Sequence, residues 1–269
     1  MMGMKISVIG AGIIGSSIAK SLLLGKYGSE IFATRRRVEK LKELEELGAT
    51  ITSNNKEAAA KANVVILSVK PKDVKNVLAE IRDDIKGKLV ISVAAAVPLE
   101  SLKKIAPEAR FVRAMPNVAV LVQESFTAYC VDPEITKEDR KRAEEIFGKM
   151  GKYVDVEEQH MNAITGLSGS GPAYVSIIIE AMMYAGLKVG LPRELALFAS
   201  AQTVAGTGKL ILESKRHVAE LKDMVVTPGG TTIEGIYELE DSGIRTAIMR
   251  AVEAAMKKSE KISEAIKNQ

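Results

Sequence analysis

Gly10-Ala11-Gly12-Ile13-Ile14-Gly15 stands between a short apolar run, Lys5 to Ile9, and a stretch with helical apolar spacing, Ile13 to Leu24. No other stretch limits the possible folds as much as this one. A tight glycine turn that feeds a strand into a helix begins a βαβ unit, and successive βαβ units build a parallel sheet covered on both faces. The rhythm continues downstream. Glu30 to Ala33 reads as a second strand, and Val38 to Leu47 as an amphipathic helix stopped by Gly48. Val64 to Val69 and Leu89 to Val93 are continuous apolar runs of the kind buried on both faces. Phe111 to Ala114 reads as a further strand, and Lys72 to Ile85 and Leu99 to Ile105 are helical. The spacing therefore predicts a doubly wound α/β domain over residues 1–157.

The pattern changes after about Val156. No strand is expected from Met161 onward. Tyr174 to Ala185 is apolar almost all round, which predicts a helix buried on every side. Pro192 suits the first turn of the next helix, which runs to about Leu212. Ile244 to Ile266 keeps helical spacing. Residues 158–269 are thus predicted to form an all-α domain whose apolar helices require a partner subunit. A chain of 269 residues has room for two such domains.

Composition removes several function classes. No apolar run is expected to reach the length of a membrane span, and no leader pattern opens the chain. Met1, Met2 and Met4 leave the initiator open. Cys130 is the only cysteine, so an intramolecular disulfide is impossible and a reducing, cytoplasmic setting is the natural reading. His160 and His217 are far apart, and no metal is expected. The net charge of +4, without a basic stripe interleaved with aromatics, points to anionic small molecules, with no nucleic acid and no membrane as partner.

Each loop glycine has a distinct task in a Rossmann-like dinucleotide site. Gly10 permits the tight turn, Gly12 lets a pyrophosphate approach the backbone, and Gly15 brings helix and strand together. The pyrophosphate then rests on the positive end of the helix. The second strand ends in Thr34-Arg35-Arg36-Arg37, with no carboxylate to hold a ribose 2′-hydroxyl. Guanidinium groups can grip a 2′-phosphate, which predicts NADP(H); at least one arginine is expected to be merely solvated. Ser68-Val69-Lys70-Pro71, Ala94-Ala95-Ala96 and Arg113-Ala114-Met115-Pro116-Asn117 follow later strands, where ligands of open α/β sheets lie.

Near the end of the chain, Pro228-Gly229-Gly230-Thr231-Thr232 precedes a helix. Thr231 and Glu234 have capping-box spacing. The glycines leave N–H groups bare at a helix N-terminus, an anion site suited to a substrate carboxylate, although an ordinary capped turn has the same sequence. Ser168-Gly169-Ser170-Gly171-Pro172 is a second glycine-rich turn. Tyr184 and Lys188 have the Tyr-x-x-x-Lys spacing of short-chain dehydrogenases, but Gly186 interrupts it, and a tyrosine packed in a helical core is the better reading.

Together these blocks resemble the pyrroline-5-carboxylate reductase family over nearly the whole length. The resemblance rests on Gly10 to Gly15, Val69-Lys70-Pro71, Arg113 to Asn117, Ala163 to Tyr174 and, most specifically, Glu220 to Ile233. It implies hydride transfer from NADPH, with NADH possible, to the C=N carbon of 1-pyrroline-5-carboxylate, giving L-proline. It also implies a Rossmann-like domain followed by an all-α dimerisation domain, an active site between them, and a homodimer that often assembles into decamers as a pentamer of dimers. By the same resemblance, Thr227, Gly230 and Thr231 cradle the substrate carboxylate, Thr232 contacts the ring nitrogen as the catalytic residue, and Glu158 lies near the substrate. The expected cofactor residues are Gly10, Ala11, Gly12, Ile13, Ile14, Gly15, Thr34, Arg35, Arg36, Asn55, Val69, Lys70, Pro71, Ala94, Ala95, Met115 and Pro116. The chain departs from the family pattern at Val226-Thr227, at Val218, at Ala96 where glycine is common, and at Asn162 where aspartate is common. A β-hydroxyacid-type NADP dehydrogenase, using Lys188, Lys209 or Lys222, is an alternative, and so is a non-catalytic NADP-binding assembly protein.

Overall fold

Extended apolar segments cannot pair their own backbone N–H and C=O groups, so when buried they pair edge to edge. In the computed structural model, which describes residues 4–28 and 30–268, they form one eight-stranded sheet. The candidate starts Met1 and Met2 lie outside the described residues. The chain runs β1 (Lys5–Ile9), α1 (Ile13–Leu24), β2 (Glu30–Thr34), α2 (Lys42–Glu46), β3 (Thr50–Thr52), α3 (Asn55–Lys61) and β4 (Val64–Leu67). It continues through α4 (Val74–Ile81), β5 (Leu89–Ser92), α5 (Leu99–Ile105), β6 (Arg110–Met115), β7 (Ser125–Val131), α6 (Lys137–Gly148) and β8 (Gly151–Asp155). Then follow α7 (Met161–Ile164), α8 (Gly171–Lys188), α9 (Arg193–Ser214), α10 (Val218–Asp223), α11 (Thr231–Asp241) and α12 (Ile244–Lys267).

The strand order is β3-β2-β1-β4-β5-β6-β7-β8, parallel throughout except for the antiparallel β6–β7 pair. Alternate residues feed two cores. Ile6, Val8, Ile66, Ile91 and Val112 meet Ile18 and Leu22 of α1 and Phe147 of α6 on one face. Phe32, Val65, Val90 and Phe111 meet Leu78 of α4 and Leu102 of α5 on the other. Pairing places Thr34, Ile9, Leu67, Ser92 and Arg113 in one row across the sheet, so the segments that follow β1, β2, β4 and β5 share one edge. α6 is highly charged and joins this unit through Ala143, Ile146, Phe147 and one buried carboxylate. Asp139 accepts from Arg110 Nε at 2.6 Å and from the Thr136 hydroxyl at 2.8 Å. Burial pushes the Asp139 carboxyl upward, and these bonds outweigh it, holding the group below its ordinary value.

The chain divides into two compact units, one formed by residues up to Ser170 together with the segment from Glu253, the other by Gly171–Val252. The predicted boundary at 157 precedes this division. Met161 and Ile266 pack into the second core of the sheet unit, which draws the segments on either side of Gly171–Val252 into it.

In the helical unit α8 lies against α9. A Cβ on Gly186 would sit 2.7 Å from that of Ala196, so only glycine allows this approach. α8 continues through Gly186 to Lys188. Pro192 is the N-cap of α9, one residue before the predicted first turn. Two expectations are corrected here. Tyr184 is half exposed, with the Arg193 guanidinium 5.7 Å from its ring, so it is not packed in a core. The apolar helices are also not buried within the chain: in α8 only Met183 is buried, and Ile177, Phe198 and Leu212 are 65%, 70% and 78% exposed. The expectation that no run reaches a membrane span is corrected as well, because α9, whose most apolar 18-residue stretch has mean hydropathy 1.3, is long and apolar enough to cross a bilayer. An apolar helix so little covered by its own chain requires another surface.

Candidate functional site

The first candidate site is a cleft of about 450 Å³ at the shared sheet edge. It brings together Gly10, Gly12, Thr34, Arg35, Arg36, Asn55, Val69 and Lys70 of the predicted cofactor residues. Ala11 and Gly15 are buried beneath the turn, and Ile13 and Ile14 begin α1. Pro71, Ala94, Ala95, Met115 and Pro116 do not line the cleft; they follow or end β4, β5 and β6. The cleft also contains Arg37 and Ser68, from segments the sequence singles out, and Lys40, Ser53, Asp73 and Val77, which sequence reasoning missed. Arg37 carried a signal in the arginine run. Ser53 follows β3, a three-residue edge strand too short to be legible.

The geometry matches the three glycine tasks. Gly10 has φ +84°, and a Cβ there would lie 2.4 Å from Val69 Cγ1. Gly12 meets nothing nearer than 4.0 Å, so its face is open to a ligand. A Cβ on Gly15 would come within 3.0 Å of Gly10 O and Ser68 Oγ. Thr34 braces the turn. Its carbonyl accepts from Ala11 N at 2.7 Å, and its hydroxyl accepts from Gly10 N at 3.2 Å and donates to Asn55 Oδ1 at 2.6 Å. α1 then follows its N-cap Gly12 with no side-chain cap and no acid in its first turn, leaving its first N–H groups for an anion. Among the described residues, Arg35, Arg36 and Arg37 make no ion pair. Three unpaired guanidinium groups beyond an uncapped helix start suit a dinucleotide that carries an extra phosphate on its ribose.

Further along the edge, Ala94 and Ala96 are buried, and Ala96 has φ +60°, a left-handed conformation that suits glycine. Met115, at the end of β6, packs on a π-helical turn, Thr165–Gly169: a Cβ on Gly169 would fall 2.5 Å from its Cε. Asn117 Nδ2 donates to the carbonyl and hydroxyl oxygens of Ser168, each at 3.3 Å. Glu158 has a definite structural task. Its Oε1 accepts from Arg113 and from the Leu99 N–H at the start of α5, both at 2.8 Å. Burial and the Glu158 charge push the Cys130 thiol up to about 12, which makes this buried thiol a poor nucleophile.

The second candidate site lies in the helical unit. Gly230, not Thr231, is the N-cap of α11, so the predicted capping box does not form; Thr231 is the first helical residue, and no side chain caps the end. Gly229 turns the chain at φ +67°. The Gly230 N–H, expected to face a carboxylate, donates instead to Thr227 O at 3.0 Å. The open donors begin at Thr231, because the first N–H groups of a helix have no partner within it. A Cβ on Gly230 would sit 2.3 Å from Thr227 Oγ1, so glycine there leaves room for the Thr227 hydroxyl beside the helix start. Thr232 is half-buried and Thr227 exposed. One face therefore offers hydroxyls, open N–H groups and a helix dipole, a combination suited to a small carboxylate.

Two sequence families match the chain: one described as pyrroline-5-carboxylate reductase dimerisation, over residues 158–262, and one described as NADP oxidoreductase coenzyme F420-dependent, over residues 5–96. A pyrroline-5-carboxylate reductase of Pisum sativum is 40% identical, covering 95% of this chain and 94% of its own. One of Methanosarcina acetivorans is 41% identical, covering 97% and 99%. The crystal structure of Plasmodium falciparum pyrroline carboxylate reductase with NADP bound superposes with TM-score 0.89 at 32% identity, covering 97% of this chain and 98% of that one.

Proposed function

The chain belongs to the pyrroline-5-carboxylate reductase family, and from that premise we propose how its own residues perform the reaction. The reaction is reduction of 1-pyrroline-5-carboxylate to proline, a step of proline biosynthesis, with NADP as cofactor. When bound, the reduced nicotinamide supplies the hydride that the C=N carbon accepts. The observation that carries the cofactor assignment is the cleft in which an open Gly12, an uncapped α1 and unpaired arginines lie together.

The reaction needs little acid–base machinery from the protein. A cyclic imine takes a proton from water far more readily than a ketone does, and the iminium is already a good hydride acceptor. The protein must hold the carboxylate and align two planes, which is positional catalysis. The Thr231 N–H and the Thr227 hydroxyl hold the carboxylate at the α11 start. The Thr232 hydroxyl, in the first turn of the same helix, bonds the ring nitrogen, orients the ring and passes the proton. Supporting this reading, the helix start has no cap of its own, and Gly230 leaves the Thr227 hydroxyl in place. Thr232→Ala is expected to lower kcat/KM about ten- to a hundredfold, the loss of one hydrogen bond in a desolvated site. Steady-state kinetics check it, and unchanged kinetics would remove Thr232 from the mechanism.

The chain assembles with copies of itself through its dimerisation segment. The dimer itself, and the decamer built from it, belong to our proposal, as does a cytoplasmic location. Exposed Ile177, Phe198 and Leu212 are the apolar groups a second copy would cover, each contributing about 1.5–3 kcal/mol if fully buried. Phe198→Lys together with Leu212→Lys is expected to yield a monomer in light scattering. A dimer retained by that variant would place the interface elsewhere.

A further inference from the structure

Ala96 is the buried member of the described non-glycine residues with positive φ; Lys26, Gln123 and Lys215 are exposed. A left-handed alanine crowds its own carbonyl, so the surroundings must hold it there. The hold is visible. Ser263 Oγ donates to Ala96 O at 2.9 Å, from α12, 167 residues away in sequence. Ser263 does not act alone. Ser259, one turn earlier on α12, donates to Asn162 Oδ1 at 2.8 Å, and Ser263 Oγ lies 3.2 Å from the same oxygen. Both serines are buried, at 4% and 6% exposure, in a helix segment otherwise rich in charge. Ile266, less than a turn further on, packs against the core that also contains Ala94 and Val97. The last turns of α12 thus fasten the segment that follows β5.

We propose that Ser263 is a positioning residue for cofactor binding: from the C-terminal helix it grips the Ala96 carbonyl and keeps the Ala94-Ala95-Ala96 turn in the shape that receives the nicotinamide half of NADPH. This inference rests on the reading that Ala94 and Ala95 contact the cofactor. It places a requirement for NADPH binding in the last turns of the chain, far in sequence from the glycine loop.

The test is a double-mutant comparison on the full-length protein, reading NADPH dissociation constant, KM for NADPH, KM for the imine, and melting temperature. Ser263→Ala is expected to weaken NADPH about tenfold, one hydrogen bond's worth, with KM for the imine unchanged. In the Ala96→Gly background the same substitution is expected to cost less than about threefold, because glycine takes the left-handed conformation without a side-chain clash. A merely structural serine would lower the melting temperature in both backgrounds and leave the NADPH constants alone; that result, or equal NADPH losses with and without Ala96→Gly, would overturn the proposal. Ser263→Cys, closer in shape with a weaker donor, serves if the alanine variant does not fold, and an unaltered NADPH constant in it would count equally against the proposal. Ala95→Val separates the premise from the inference. If it leaves NADPH binding intact, the turn does not meet the cofactor and both fall. If it weakens binding while Ser263→Ala does not, only the positioning role is lost.

Discussion

Replacing Arg35 and Arg36 together by alanine is expected to raise KM for NADPH at least about hundredfold while leaving KM for NADH nearly unchanged. A charge-assisted hydrogen bond contributes about 1.5–3 kcal/mol. Two of them on a 2′-phosphate sum to about 3–6 kcal/mol, and about 1.4 kcal/mol is tenfold. The large value is justified because both residues line the cleft and no acid neutralises them within the described structure. NADH lacks the phosphate and has nothing to lose. Arg37 and Lys40 line the same cleft and set the residual preference of the double variant. Parallel KM measurements with the two cofactors check this. Equal losses for NADPH and NADH would mean that the arginines hold something common to both, such as the pyrophosphate or adenine.

Gly10→Ala is expected to reduce kcat/KM with NADPH by about a hundredfold. Two costs act together. A side chain at φ +84° adds about 1–2 kcal/mol of backbone strain. Its Cβ would also overlap Val69 Cγ1 at 2.4 Å, and forcing extra volume into packed structure costs about 1–3 kcal/mol. The turn relieves both by moving away from β4, which removes the Gly10 N–H from Thr34 and shifts the start of α1. Gly12→Ala meets nothing nearer than 4.0 Å in the protein, so any loss there is caused by the ligand. Kinetics and melting curves on the two variants distinguish these cases: Gly10→Ala loses both stability and NADPH affinity, Gly12→Ala affinity alone. A Gly10→Ala protein with normal NADPH kinetics would show that the turn is not the pyrophosphate seat.

The parts of the fold legible in the sequence are those where local chemistry and packing agree. β1, α1 and α5 begin and end at the residues that the apolar runs and the helical spacing predict. α12 extends one residue past its predicted end. β7 and β8 were not legible: S-F-T-A-Y-C-V mixes polar and apolar residues in an antiparallel pair, and G-K-Y-V-D is a largely exposed edge strand. α6 was hidden by its charge, since it joins the core through few apolar residues and one buried Asp139. The glycine loop was readable because each glycine answers a different steric demand. The α11 start was only half readable. Spacing favours Thr231 as the cap, but Gly229 at positive φ and the Gly230-to-Thr227 bond move the helix start by one residue. Glu158 shows the opposite limit. Its contacts with Arg113 and Leu99 join residues that no local pattern connects. The same holds for the Ser263 clamp, whose partners are distant in sequence.

The central claim is that this chain reduces a cyclic imine with NADPH. Its most direct test is NADPH absorbance on adding 1-pyrroline-5-carboxylate to the purified protein, with proline quantified in the same sample and NADH run in parallel. The account predicts rapid loss of NADPH with equimolar appearance of proline, and slower loss with NADH. NADPH that binds but is not consumed, or is consumed only with a hydroxyacid's keto partner, would contradict it.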